Sequence, residues 1–246
     1  MINIWGGTHT GRVRKANQDK YDFKILGKAL AFMVVCDGMG GENGGSVASS
    51  IAVSCISEML TRDLPGAEGE QSVLSIMRSA IAGANALVFE AASKDEGLSG
   101  MGTTLVLGVV WNSSLFIGYV GDSRVYRVSG EAETQITRDH TVVQMLLDIG
   151  EISKEQVENH PQRHYITRAV GVSESVDADF VECPLEEGDM VLICSDGLYH
   201  YVEQGGFVPL LRECVRQKSV DSLIRLANEQ GGADNITAVV LQVAAQ

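Results

Sequence analysis

"TTLVLGVVWNSSLFIGYVGDSRVYRVS", residues 103–129, decides the architecture. Two apolar runs, 103–111 and 114–120, flank Asn112-Ser113, and a third, 125–129, follows Gly121-Asp122-Ser123. Short apolar runs joined by tight turns pair as antiparallel hairpins. More strand signals follow at 134–138, 178–183, 189–195 and 235–243, and helical periodicity marks about 45–62, 71–94, 206–216 and 219–230. In the first two helices the apolar face is expected to hold Val47, Ile51, Cys55, Ile56, Met59 and Leu60, then Val73, Ile76, Met77, Ala80, Ile81, Ala84, Leu87, Val88 and Ala91. Antiparallel sheets with long helices over their outer faces satisfy this order. Segment 139–175 breaks the pattern and reads as an excursion from the sheets, a flap.

The chain has 246 residues and 45% hydrophobic residues, enough for one large domain with a full core. Its longest clean apolar run is Ala29–Cys36, against the roughly 20 residues a membrane span needs, so no spanning segment is expected. The first residues lack the basic and apolar regions of a signal peptide. A net charge of −13 opposes nucleic acid and anionic membranes. Five cysteines without a CxxC pair read as reduced thiols of a cytoplasmic protein.

Four carboxylates sit in the same kind of place. Asp37 ends the apolar run in "VVCDGMGG" (34–41), Asp122 lies in the turn after 114–120, Asp196 follows 189–195, and Asp234 precedes 235–243. Singly, an Asp in a turn makes an Asx turn. Four of them at strand ends can converge on one rim, where they repel one another unless a cation holds them. An all-oxygen ligand set selects Mg²⁺ or Mn²⁺. Two such ions can clamp phosphoryl oxygens and activate a water. "GRVRKANQD" adds Arg12, Arg14 and Lys15 just before Asp19. Arginine matches phosphate geometry, although a solvated basic turn is the plainer reading of that stretch alone.

Other chemistries lack their marks. No cysteine has the Cys-x₅-Arg spacing of a thiol phosphatase, and no GxxxxGK[ST] loop occurs. "GMGGEN" lacks a dinucleotide fingerprint, and "DGMGG" fails the calcium-loop spacing. His160 and His164 form an HxxxH pair, but Pro161 argues against zinc held by those two.

With these residues in view, the chain resembles the bacterial metal-dependent Ser/Thr protein phosphatases of type 2C, the PPM family. "GRVRKANQD", "VVCDGMGG", "SGMGTTLV", "GDSRVYR", "TRDHTVVQMLLDIGEIS", "HPQRHYITRAVG", "CSDGLY" and "DNITAVV" come in family order over nearly the whole chain. The resemblance implies an α+β fold, a four-layer αββα sandwich of two antiparallel sheets flanked by helix pairs, with residues 1–246 forming one catalytic domain. It implies that Asp37 bridges two Mn²⁺ or Mg²⁺ ions, with the Gly38 carbonyl on the second and Asp196 and Asp234 on the first. Asp122 and Asp196 would hold a third, weaker ion. Arg14 would grip phosphate, Asp19 would orient metal-bound water, and Asn235 would support Asp234. The implied reaction is hydrolysis of phosphoserine and phosphothreonine in proteins by direct attack of a metal-bridging water. The implied partners are phosphoproteins and a cognate bacterial Ser/Thr kinase, and the implied state is a monomer.

Two other readings fit the same residues, a pseudophosphatase that binds phosphoproteins and a small-molecule phosphomonoesterase. Three departures stand out. Met39 replaces a histidine that serves some relatives as general acid, leaving a metal-bound water, or failing that His140, as the candidate. Glu42 and Gly45 replace a His and a Glu at the expected metal rim.

Overall fold

The computed structural model describes residues 1–157, 159–202 and 206–244, and at residue 42 the backbone alone. Its elements are β1 (Ile2–His9), β2 (Asp19–Gly27), β3 (Leu30–Met39), α1 (Gly41–Asp63), α2 (Glu70–Lys94), β4 (Gly102–Thr103), β5 (Leu105–Trp111), β6 (Ser114–Val120), β7 (Arg124–Ser129), β8 (Ala132–Gln135), α3 (Val142–Asp148), α4 (Lys154–Val157), β9 (Asp179–Pro184), β10 (Met190–Cys194), α5 (Asp196–Tyr199), α6 (Phe207–Gln217), α7 (Asp221–Glu229) and β11 (Ile236–Val243). One sheet runs β1-β11-β10-β7-β8; the other runs β2-β3-β5-β6-β9, with β4 added on β3. All pairings are antiparallel.

The layers follow from side-chain alternation. In β3, Phe32, Val34 and Cys36 join the cluster under α1 and α2, while Ala31, Met33 and Val35 join the cluster between the sheets. In β10, Val191 and Ile193 face the other sheet, while Met190, Leu192 and Cys194 pack with Phe207, Leu211 and Leu223 of α6 and α7. A strand covered on both faces is a continuous apolar run rather than an alternating one. Three apolar interfaces therefore separate four layers, α/β/β/α, as the resemblance implies.

The expected hairpin at Asn112-Ser113 is present, with Trp111 opposite Ser114 and Asn112 at φ 56°. Several expectations need correction. The run 103–111 is interrupted at Thr104, and the strand expected at 134–138 is instead Ala132–Gln135. On α1 Ile56 and Leu60 are buried as expected and are joined by Ala48, Ala52 and Val53, while Val47, Ile51, Cys55 and Met59 are only half-buried. On α2, Leu87 is 46% exposed and Asn85 is buried. Also, α2 is 25 residues long with mean hydropathy 1.5 over its best 18-residue window, so it is long and apolar enough to cross a membrane. Here Val73, Met77, Ile81 and Val88 of that helix are spent on the sheet-facing core.

The flap leaves the sheets and returns along two anchors. At its start, the His140 N–H donates to the Gly121 carbonyl at 2.9 Å. At its end, Asn85 accepts from the Gly171 N–H at 2.8 Å and donates to the Ser173 and Glu174 carbonyls at 3.0 and 3.1 Å. Removing a buried partner leaves unsatisfied groups, at a cost of about 1–3 kcal/mol each. Asn85→Ala is therefore expected to lower unfolding free energy in urea and to speed amide exchange at 171–174. Unchanged exchange there would contradict the anchor.

Candidate metal centre

The site is assembled by backbone contacts that hold strand ends together. Asp37 lies opposite Asp19 in the β2–β3 register. Its N–H donates to Thr104 Oγ1 at 3.0 Å, and its carbonyl accepts from the Thr104 N–H at 2.8 Å and Thr103 Oγ1 at 2.9 Å. The break at Thr104 thus grips the end of β3 from the side. Thr104 in turn meets Ser123 Oγ at 2.8 Å, next to Asp122. Asp196 opens α5 after β10, and Ser195 Oγ donates to Asp19 Oδ2 at 2.7 Å.

The loop before β2 is pressed onto the same rim. Asn235 takes the Gln18 N–H on Oδ1 at 2.8 Å and gives Nδ2 to the Thr10 and Ala16 carbonyls, each at 2.9 Å. Its own N–H donates to Asp234 Oδ1 at 2.8 Å. Gly11, at φ +81°, lets this loop approach so closely that a Cβ would lie 2.2 Å from the Asp234 carbonyl oxygen. Arg14 reaches Asp234 Oδ2 at 2.7 Å while its side chain stays 55% exposed. Part of its guanidinium fork is therefore still open to an anion.

Gly38 and Gly45 touch backbone to backbone. A Cβ on Gly38 would sit 2.0 Å from the Gly45 carbonyl oxygen, and one on Gly45 would sit 2.6 Å from Gly38 C and O. This corrects the reading of position 45 as a place for a missing Glu, because no side chain fits there. The side chain of Glu42 lies outside the described residues. Met39 turns its methyl toward Gly102, whose missing Cβ would lie 3.1 Å from it and 2.8 Å from Val172 of the flap. His140 is not aimed at the cleft. Its Nδ1 accepts from the Gly121 N–H, its Nε2 meets Asp179 and Arg168 at 3.3 Å each, and its ring stacks on Tyr119.

The electrostatics state what the site lacks. Burial first, then Asp19, Asp196, Asp122 and Asp234, holds Asp37 well above the ordinary carboxylate range. Burial and Asp196 push Asp122 to about 8. Burial pushes Asp19 to about 6 against the pull of the hydroxyls of Thr237 and Ser195. Asp196 is also raised, by burial before its neighbours. One of the nearby arginines, Arg124, is committed to Asp139 at 2.7 Å. Asp19 Oδ1 and Asp196 Oδ1 are buried with no protein partner. Orphaned carboxylate oxygens in a cluster of like charges fit hard divalent cations, so the residues present suit Mg²⁺ or Mn²⁺.

Sequence reasoning brought Asp19, Asp37, Asp122, Asp196, Asp234, Arg14 and Asn235 to one rim. It passed over the hydroxyls of Thr103, Thr104, Ser123 and Ser195. Their signal was position: each directly flanks a chemistry-bearing Asp or the strand break beside one.

Because the folded-state pKa values of Asp19, Asp37, Asp122 and Asp196 are raised, the folded chain holds more protons than the unfolded chain between about pH 4 and about pH 8. Stability without divalent cation must then fall as pH rises through that window. The thermal midpoint in chelator is expected to drop from about pH 5 to about pH 8, and Mn²⁺ is expected to restore it most at the upper end. A midpoint flat with pH in chelator would contradict the clustering.

The family model of Protein phosphatase 2C matches residues 6–230. The serine/threonine phosphatase stp of Listeria monocytogenes is 35% identical over 96% of this chain and 93% of its own length. The solved serine/threonine phosphatase Stp1 from Staphylococcus aureus superposes with a TM-score of 0.92 at 30% identity, covering 100% of this chain and 96% of that one. The catalytic domain of the serine threonine protein phosphatase PstP, solved in complex with two manganese ions, matches with a TM-score of 0.84 at 30% identity over 99% of each chain. On the strength of the family match, which takes in every element from β2 to α7 and every residue of the acidic rim except Asp234 and Asn235, the chain belongs to the protein phosphatase 2C family.

Proposed function

We propose that this protein is a metal-dependent Ser/Thr protein phosphatase that hydrolyses phosphoserine and phosphothreonine in proteins. The observation that carries the reading is the rim itself, where buried, mutually repelling carboxylates with orphaned oxygens face one exposed arginine fork. In this reading Asp37, the Gly38 carbonyl, Asp196 and Asp234 would hold two ions, and Asp122 with Asp196 would offer a third, weaker position. Mn²⁺ and Mg²⁺ both suit this oxygen set. When bound, such ions polarise phosphoryl oxygens and supply a nucleophile at neutral pH.

The chain's own residues do the rest. Arg14 uses the open part of its fork to bind and orient the phosphoryl group, and Asp234 sets the direction of that fork through the 2.7 Å ion pair. Asn235 fixes the loop that carries Arg14, so the distance between phosphate and carboxylates is set by a rigid contact. Asp19, held through Oδ2 by Ser195, keeps Oδ1 free to accept a proton or orient a water inside the rim. Met39 cannot donate a proton and His140 is engaged elsewhere, so neither is assigned to the leaving group. A pure binding role is disfavoured because Asp37, Asp122, Asp196 and Asp234 are all present to hold metal in this reading. The free cysteines, four of them buried, support a reducing cytoplasm. A cognate Ser/Thr kinase and a monomeric state complete the proposal.

The test is turnover of a phosphothreonine peptide and of p-nitrophenyl phosphate with Mn²⁺, and then with EDTA. Rates surviving chelation would sink the reading, and preference for small metabolites over phosphopeptides would move it to a phosphomonoesterase. Asp37→Asn is expected to lower kcat by about 100-fold or more. Arg14→Ala removes charge-assisted phosphate contacts and should cost about 10–150-fold in kcat/KM, with Arg14→Lys restoring only part.

A further inference from the structure

We infer that His164, His200 and Asp196 form a second kind of metal site, one for a zinc-class transition-metal cation, which ties the flap to the acidic rim. The ligand atoms of the three residues lie within 4.8 Å of one another. His200 Nδ1 is 3.9 Å from Asp196 Oδ2, and the two imidazoles meet edge to face at 5.7 Å between ring centres. In a tetrahedral site with bonds of about 2.0–2.1 Å, donors stand roughly 3.4 Å apart.

The fold sets up this meeting. Asp196 and His200 are the i and i+4 positions of the turn that forms α5, and the His200 N–H donates to the Asp196 carbonyl at 3.3 Å, so both side chains share one face. His164 comes from the flap. Its place is fixed next door by the Val142 N–H on the Tyr165 carbonyl at 2.9 Å and by the bridge between Thr141 and Ile166. The HxxxH partner anticipated in the sequence, His160, is not part of the group, since its Nδ1 accepts from the Gln162 N–H.

The two imidazoles are also free to ligate. Among the described residues neither His164 nor His200 makes a side-chain hydrogen bond, while Asp196 keeps Oδ1 buried and unpartnered. The oxygen that approaches His200 is Oδ2, so Oδ1 is left for a second cation. The donor chemistry differs from that of the rim. Oxygen-only ligands suit Mg²⁺ and Mn²⁺, whereas two imidazoles and one carboxylate suit Zn²⁺, Cu²⁺, Ni²⁺ or Co²⁺ and leave a fourth position open. A cation there would draw on a carboxylate of the acidic rim and would hold the flap down beside it.

The test uses the full chain in saturating Mg²⁺, so that the oxygen sites are satisfied, with Zn²⁺ followed by calorimetry and Co²⁺ followed by visible absorption. No turnover enters this readout, so its failure leaves the phosphatase reading untouched. Wild type is expected to bind one Zn²⁺ and to show intense four- or five-coordinate Co²⁺ bands. His164→Ala and His200→Ala, both at exposed positions, should each weaken binding by about tenfold or more, and the double variant should lose the Co²⁺ bands. Zinc should also slow amide exchange at 160–167 in wild type and not in the double variant. Equal Zn²⁺ affinity in wild type and double variant would overturn the site, as would absence of Zn²⁺ binding to wild type under Mg²⁺.

Discussion

The constraint on which the rest depends is the mutual repulsion of carboxylates held out of water at one end of the sandwich. Asp19 is fully buried, and Asp37 feels four other acids at once. A chain that placed these groups together without a counter-charge would pay their desolvation and repulsion for no return. The backbone around them is correspondingly over-determined. Thr103 and Thr104 clamp Asp37, Ser195 holds Asp19, and Asn235 saturates its amide on the loop that brings in Arg14. Rigidity lets the charge stay where a cation can use it, since relaxation away from the rim would otherwise relieve the strain.

The layers supply that rigidity. The central strands β3, β10 and β11 are buried on two faces, so Asp37, Asp196 and Asp234 are carried at the ends of elements that cannot shift without disturbing two apolar interfaces, while Asp19, on the edge strand β2, is held by its pairing with β3 and by Ser195. Loops enter the rim only where they are pinned to a strand end. The flap is the element of another kind, half-buried and anchored at His140 and Asn85, with exposed Met145, Ile149 and Tyr165.

The acids were legible in the sequence because an apolar run that stops at a charge is a local signal, repeated at Asp37, Asp122 and Asp196 and mirrored at Asp234. The central strands were legible for the same reason. β1 and β2 were not, since both are edge strands: Gly6-Gly7 interrupts the apolar alternation of the first, and the second is mostly half-exposed "DKYDFKILG". On α1, Ile56 and Leu60 were legible, but Ala48 and Ala52 share their buried face while Val47, Ile51, Cys55 and Met59 lie at the flank, so counting large apolar side chains drew the face too far round the helix. Position 45 needed coordinates, because its requirement for glycine comes from the backbone of Gly38, not from its own neighbours in sequence. The pairing of His164 with His200 likewise arises only when the flap folds back over α5.

The central claim is that the acidic rim is a cation centre organised by Asp37. Counting Mn²⁺ bound per chain, by equilibrium dialysis or native mass spectrometry at neutral pH, tests it most directly. The account predicts at least two ions on the wild-type chain and loss of both tight sites in a folded Asp37→Asn variant. A wild-type chain that binds no Mn²⁺, or an Asp37→Asn chain that binds as many ions as tightly, would contradict it.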